Sequence, residues 1–336
     1  MGNNRLPLVK LLGTGGTIAS WGSPRLEFVQ YWLGGKNLDV HQNLARIPEV
    51  SQYAKVEAMQ VLQTPSMAIG APEWIQLAST INHIFETQPE INGLVLTHGT
   101  STMEETAYFL NLTVKSSKPV VVTGSMRPPS ALGTDADNNL LAAILLASSQ
   151  EAHGKGVMIL LNDEIQAARE ATKQNSYRVE TFGSRELGIL GYLDSDLKPV
   201  FYREPTRKHT YQTEFTVSHE SEMPKVEVVY AVAGGNGMQA RFLIDAKVDG
   251  IIGAATGGGS GAPDWNDALA EASQAGIAVA ITTRTGAGRV IPTTRSKETG
   301  LISGDNLNAQ KARILLMLAL STTKNTNSIQ EMFNTY

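Results

Sequence analysis

Leu11-Leu12-Gly13-Thr14-Gly15-Gly16-Thr17 and Val95-Leu96-Thr97-His98-Gly99-Thr100-Ser101-Thr102 are each an apolar run that stops at small residues and hydroxyls. Two strands ending this way in one sheet would set two threonines facing each other across a crevice. Glycine admits backbone conformations and close approaches that a Cβ would block, so a hydroxyl on a Gly-flanked loop can come near a ligand. That geometry suits nucleophilic attack on a small polar substrate.

Outward from these two segments, apolar runs rich in β-branched residues alternate with amphipathic stretches. The runs 8–12, 94–97, 120–123 and 157–161 read as strands, and 73–85, 103–114 and 135–149 as helices between them. Ser101-x-x-Glu104 and Thr102-x-x-Glu105 are two overlapping capping-box patterns at the start of the second helix. Alternation of this kind implies βαβ units and a mainly parallel sheet, whose buried strands read as unbroken apolar runs. From residue 203 the composition turns to Thr, Ser, His, Glu and Lys, and the alternation restarts with strands at 226–232, 250–255 and 277–282. Helices fit at 238–247, 264–275 and 308–322. The expected architecture is α/β: a larger, mainly parallel-sheet N-terminal domain (1–203), a linker (204–224) and a smaller C-terminal α/β domain (225–336).

A chain of 336 residues favours two domains over one large core. With 42% hydrophobic and 18% charged residues, it has the composition of an ordinary soluble globular protein. A net charge of -4 leaves no basic footprint for nucleic acid. There are no cysteines, so disulfides, thiolate chemistry and Cys-based zinc sites are excluded. The longest strongly apolar run, 314–320, falls well short of the ~20 residues that cross a bilayer, so no membrane partner is expected. Residues 1–7 lack the pattern of a signal peptide, which favours the cytoplasm; a periplasmic protein with its leader removed is the alternative.

Residues 20–50 differ in kind, with Gly22, Pro24, Gly34 and Gly35 set among Trp21, Phe28, Tyr31 and Trp32. Loops this long in compact domains often serve as lids, the reading preferred here over a β-hairpin on the sheet edge. Among the motifs, the Gly13–Thr17 segment lacks the Gly-Lys-Ser/Thr ending of a phosphate loop, and Ile18 stands where a dinucleotide fingerprint needs glycine. Gly258-Gly259-Ser260-Gly261 fails as a nucleophile elbow because Ala262 holds the last glycine position. No HExxH or dense His/carboxylate cluster is present, so no metal site is expected. His98 reads as a structural donor rather than a base. What remains is Thr17, Tyr31, Thr100 and Lys173. A threonine needs a partner that removes its proton, and a lysine does so only where burial or a nearby positive group depresses its pKa.

Thr14-Gly15-Gly16-Thr17-Ile18-Ala19, Thr97-His98-Gly99-Thr100 and Met103-Glu104-Glu105-Thr106-Ala107 resemble the bacterial-type L-asparaginases. So do Gly124-Ser125-Met126-Arg127-Pro128, Asn139-Leu140, Asn162-Asp163 with Arg169, Thr172 and Lys173, and Asn308-x-Gln310-Lys311-Ala312-Arg313. The likeness runs from about Leu8 to Tyr336. It implies a two-domain hydrolase of asparagine catabolism that cleaves the side-chain amide of L-asparagine, or of L-glutamine or a related β-amide, to the acid and ammonia. The route would be an acyl-threonine intermediate, with no cofactor. By the resemblance, Thr17 is the nucleophile and Tyr31 its lid partner. Thr100 and Lys173 form the second hydroxyl–amine pair, and the backbone N–H of Thr100 donates to the oxyanion. Gly16, Ser66, Met67, Gly99 and Ser101 line the substrate, and the working unit is a homotetramer built as a dimer of dimers.

This chain departs from the family pattern at the substrate clamp. Ser101 stands where an aspartate usually grips the substrate's α-amino group, and Ser66-Met67 replaces a Ser-Gln pair. The stretch that usually brings an asparagine from a neighbouring subunit reads Gly257-Gly258-Gly259, and no glutamate matches the second such position. A lost charge-assisted hydrogen bond, ~1.5–3 kcal/mol, weakens free amino-acid binding roughly tenfold to a hundredfold. A high KM for asparagine, or a preference for another β-amide, is therefore expected. The alternative function is a non-catalytic small-molecule sensor on the same scaffold, since fold alone does not settle function.

Overall fold

The structure is a computed structural model that describes residues 6–33 and 35–336; residues 1–5 of the leader reading and Gly34 of the aromatic loop lie outside the described residues. The chain divides into two compact units, with the boundary between His219 and Glu220.

In the first unit, β1 (Leu8–Gly13) leads through a short ladder of β2 (Ser20–Trp21) and β3 (Lys36–Asn37) to α1 (Val40–Leu44) and β4 (Lys55–Gln60). Then follow α2 (Ala71–Thr87), β5 (Ile91–Thr97), α3 (Met103–Thr113), β6 (Val120–Thr123), α4 (Ala136–Ser148) and β7 (Val157–Leu161). The strands β8 (Glu164–Ala167), β9 (Thr172–Lys173), β10 (Phe182–Gly183), β11 (Gly191–Leu193) and β12 (Pro199–Phe201) complete it. The main sheet runs β12-β11-β8-β7-β6-β5-β1-β4. Its β4, β1, β5, β6 and β7 are parallel, and β8, β11 and β12 extend it antiparallel.

Every residue of β6 and β7 is buried. Neighbouring side chains of a strand point to opposite faces, so the sheet is covered on both. α4 packs on β5 and β6, and α3 on β7 and α2. α2 buries Trp74, Ile75, Leu77, Ala78, Ile81 and Ile84, the stripe of an amphipathic helix, and the Gly70 N–H donates to Glu73 Oε2 at its start. β4 and β5 lie on either side of β1, so the chain reverses direction across the sheet there. Open α/β sheets place their ligand crevice at the carboxyl ends of strands flanking such a point.

Two sequence expectations change here. The 20–50 stretch is not one lid: Val40, Ile47 and Val50 are buried in the core cluster that contains Val9 and Leu11, and only the part between β2 and β3, residues 22–33 and 35 among those described, forms the aromatic loop. Most of the stretch read as a linker packs into the first unit. His209, Thr210, Thr213 and Phe215 are buried, Lys115 Nζ donates to Thr213 O (2.8 Å), and Thr213 Oγ1 donates to Leu112 O (2.6 Å). A polar composition masked this, because the Thr213 hydroxyl bonds to backbone carbonyls and the Thr210 hydroxyl pairs with His209 Nδ1.

The second unit has a parallel sheet ordered β13 (Val226–Tyr230), β14 (Gly250–Ala255), β15 (Ala278–Thr283) and β16 (Ile302–Ser303). Its helices are α5 (Met238–Asp245), α6 (Pro263–Gln274), α7 (Thr294–Glu298), α8 (Ala309–Leu320) and α9 (Thr326–Thr335). α8 is almost wholly buried and packs on β13, β14 and β15.

Candidate active site

The β1–β5 register decides the site. Leu12 pairs with Leu96 and Gly13 with Thr97, so the two Gly/Thr segments leave the sheet side by side. They stay joined beyond it: Thr14 N–H (3.2 Å) and Thr14 Oγ1 (2.8 Å) both donate to Thr97 O. Gly16 has φ +87°, and a Cβ there would lie 2.3 Å from Gly99 Cα and 2.4 Å from Gly99 N. Glycine at both positions lets the two loops touch, which brings residues 17 and 100 to one place.

Thr17 opens a single 3-10 turn, and its Oγ1 lies 2.7 Å from the hydroxyl of Tyr31. The loop bearing Tyr31 is tied down at two points before that residue. Gly22 N–H donates to Ser130 Oγ (2.9 Å), and the guanidinium of Arg127 stacks 5.5 Å from the centre of the Phe28 ring.

On the other side, Lys173 Nζ lies 2.7 Å from Thr100 Oγ1. Lys173 is half-buried, and burial pulls its pKa down, towards the neutral amine that could accept a proton. The strand carrying it is held by Glu104, whose Oε1 accepts from Thr172 Oγ1 (2.9 Å) and from Lys173 N–H (3.2 Å). Sequence reading placed Glu104 in a capping box and in a family-like segment, without a role beside Lys173. The capping reading is corrected, because Thr102 makes no side-chain cap; its Oγ1 donates instead to Ser66 O at 2.6 Å. The segment that carries Ser66 and Met67 is thereby tied to the start of α3.

His98 is fully buried, and burial pushes its pKa down to about 4. Trp74 Nε1–H donates to Thr106 Oγ1 (2.9 Å), which lies 2.9 Å from His98 Nε2, while Nδ1 lies 2.8 Å from Gly99 O. One tautomer satisfies all of these, with Nδ1 protonated and Nε2 accepting from Thr106. His98 is a neutral brace under the second loop.

A cavity of about 460 Å³ opens between the two loops. Gly16, Thr17, Tyr31, Ser66, Met67, Gly99, Thr100 and Ser101 all line it; Lys173 does not, and reaches it through Thr100. Sequence reading missed Trp32, Asn37, Gln63, Thr64 and Pro65 on the wall. Their signal was adjacency to Tyr31 and Ser66, since Thr64 N–H donates to Thr14 O (3.0 Å) and folds that segment against the first loop. Among the described residues, no lining side chain carries a formal charge at neutral pH. Two hydroxyls, each within hydrogen-bond reach of a proton-handling partner, facing one small neutral cavity, can attack a carbonyl carbon and activate water.

The chain matches the family description "Asparaginase, N-terminal" over residues 8–207 and "Glutaminase/Asparaginase C-terminal domain" over residues 225–333. It is 40% identical to L-asparaginase 2 of Bacillus subtilis over 98% of this chain and 87% of that protein. It is 35% identical to a glutaminase-asparaginase of Pseudomonas fluorescens biotype A over 99% of this chain and 91% of that protein. The crystal structure of a probable cytoplasmic L-asparaginase from Campylobacter jejuni superposes with a TM-score of 0.93 at 38% identity, covering 98% of this chain and 100% of that one. Paired threonine loops on adjacent parallel strands, a matching second unit and likeness along nearly the whole length together make this chain a member of the asparaginase family.

Proposed function

We propose that the protein hydrolyses the side-chain amide of asparagine or glutamine through an ester on Thr17. The observation that carries this reading is the pair of contacts on one cavity wall, Thr17 Oγ1 to Tyr31 OH and Thr100 Oγ1 to Lys173 Nζ, each 2.7 Å. Thr17 Oγ forms a bond to the amide carbon as its proton is relayed through the Tyr31 hydroxyl, which passes its own proton on towards the leaving nitrogen. The C–N bond then breaks, and the nitrogen takes up a proton and leaves as ammonia. Water activated by Thr100 and Lys173 attacks the ester, its hydrogen returns the Thr17 hydroxyl, and the acid is released. The sum is amide plus water to acid plus ammonia.

In this scheme Lys173 acts as a neutral amine, which burial favours. The Thr100 N–H faces the developing oxyanion, a contact worth ~3–4 kcal/mol in the transition state. Gly16, Ser66, Met67, Gly99 and Ser101 hold the substrate. We further place the protein in the cytoplasm as a homotetramer; cell fractionation and light scattering check these two points.

Ammonia release from L-asparagine and L-glutamine, with Thr17→Ala beside the parent, tests the chemistry. Turnover that falls at least ~10³-fold in the variant, with an unchanged melting temperature, is the expected result. Folded parent protein that binds these amides without releasing ammonia would instead make it a sensor.

A further inference from the structure

We propose that His98 is a positioning residue for the reaction: by holding the Gly99 carbonyl it aims the Thr100 N–H at the carbonyl oxygen under attack. This rests on the hydrolase reading above, in which that N–H is the oxyanion donor, and names the side chain that sets its direction.

Gly99 C=O and Thr100 N–H are the two ends of one peptide unit. Such a unit is planar and trans, so its oxygen and its hydrogen point in opposite directions, and fixing one fixes the other. His98 Nδ1 lies 2.8 Å from Gly99 O. The bond answers a local need. A Cβ on residue 99 would lie 2.9 Å from Ser66 Cβ, so the close contact calls for glycine, whose backbone turns most freely. The residue that lets the loops meet is thus the one least able to hold its own peptide.

The direction of the bond is set from further inside. Trp74 Nε1–H can only donate, and it does so to Thr106 Oγ1 at 2.9 Å. The Thr106 hydroxyl then gives its own hydrogen to His98 Nε2, 2.9 Å away. Nδ1 is left with the ring proton and donates to Gly99 O, which can only accept. The series Trp74, Thr106, His98, Gly99 therefore runs one way. Trp74, His98 and Thr106 are buried by the first unit itself, so the series is the same whatever packs on the protein's surface. The histidine is anchored as well, because His98 N–H donates to Thr123 O on β6 (2.8 Å). A carbonyl that accepts a hydrogen bond polarises its peptide and strengthens the N–H at the other end. A donor fixed in this way needs no reorganisation as charge develops on the oxyanion.

The experiment measures kcat and KM for ammonia release from L-asparagine, with thermal melting, in the parent, His98→Phe and His98→Gln. Nitrogen-15 NMR of the parent reads the ring, the His98 signals being assigned by their loss in His98→Gln. Phenylalanine keeps a flat ring and removes the donor; glutamine offers one donor and one acceptor, as neutral imidazole does. His98→Phe should lose roughly twofold to tenfold in kcat, the net worth of one neutral hydrogen bond, with KM within about twofold of the parent. His98→Gln should recover part of that loss, and the ring should carry its proton on Nδ1. A folded His98→Phe with the parent's kcat overturns the proposal. So does a KM that rises as kcat falls, the mark of a disturbed pocket, and so does glutamine no better than phenylalanine. Where His98→Phe does not fold, the ring spectrum decides, since a proton on Nε2 with bare Nδ1 leaves nothing to hold Gly99 O and overturns the proposal. Absence of ammonia from the folded parent refutes the hydrolase reading itself.

Discussion

Replacing Gly16 with alanine should cost both stability and activity, and the structure sets the size of each. At φ +87° and ψ -171° the backbone lies where essentially only glycine is comfortable, a strain of ~1–3 kcal/mol for any other residue. The new methyl would stand 2.3 Å from Gly99 Cα, well inside the ~3.5–4.0 Å of ordinary carbon contact. Gly99 has little room to retreat, because its own Cβ position lies 2.9 Å from Ser66 Cβ. Forcing a methyl into such a place typically adds ~1–3 kcal/mol. Together these amount to ~2–6 kcal/mol, which lowers the melting temperature of a unit this size by at least ~4 °C. If the loops part by even ~1 Å, Thr17 and Thr100 lose their common target and turnover falls by ~10². Gly154→Ala is the control, since it has φ +72° but nothing within 4 Å of its Cβ position. It should show only the backbone cost of ~1–2 kcal/mol and unchanged turnover. Thermal melting by circular dichroism and ammonia release measure both. A Gly16→Ala protein that melts with the parent and turns over within twofold of it would refute the claim that glycine contact builds this site.

Burial lowers the Lys173 pKa, so its working neutral form is lost as pH falls and kcat/KM should climb with pH through that lowered value; a flat profile, or one shared by Lys173→Met, would exclude the amine as proton acceptor. Burial pushes the folded His98 pKa down to about 4, against ~6.5 for a free imidazole, so His98 binds its proton more readily unfolded. Its contribution, ~3 kcal/mol, is therefore present above about pH 6.5 and lost as pH falls to about 4. Denaturant melts of the parent and His98→Gln across that range should show the steeper acid loss in the parent. Glu104→Ala should lower kcat by more than it raises KM, because it frees Thr172 and the Lys173 N–H, and Glu104→Gln should restore part of the rate by supplying one neutral acceptor.

Much of the fold was legible because its strands are buried on both faces and its helices are striped or wholly apolar, patterns that survive in one dimension. The residues 120–123 and 157–161 were read with the boundaries the structure has. The misreadings share a cause. At Thr213 and Thr102, polar side chains that suggest solvent or a cap bond instead to distant carbonyls, over separations such as the 101 residues between Thr213 and Leu112. Glu104 was hidden in the same way, since its bond to Thr172 spans 68 residues.

The sequence by itself determined the two α/β units, the two glycine–threonine turns, and the chemical types of the candidate machinery. Those depend on local periodicity and on which residues can adopt or carry what. Only the tertiary structure decided that Gly16 and Gly99 touch and that Lys173 reaches Thr100 while Glu104 holds its strand. Each of these is set by the register between β1 and β5 and by hydrogen bonds across long stretches of chain, and pairing over such distances leaves no trace in local composition.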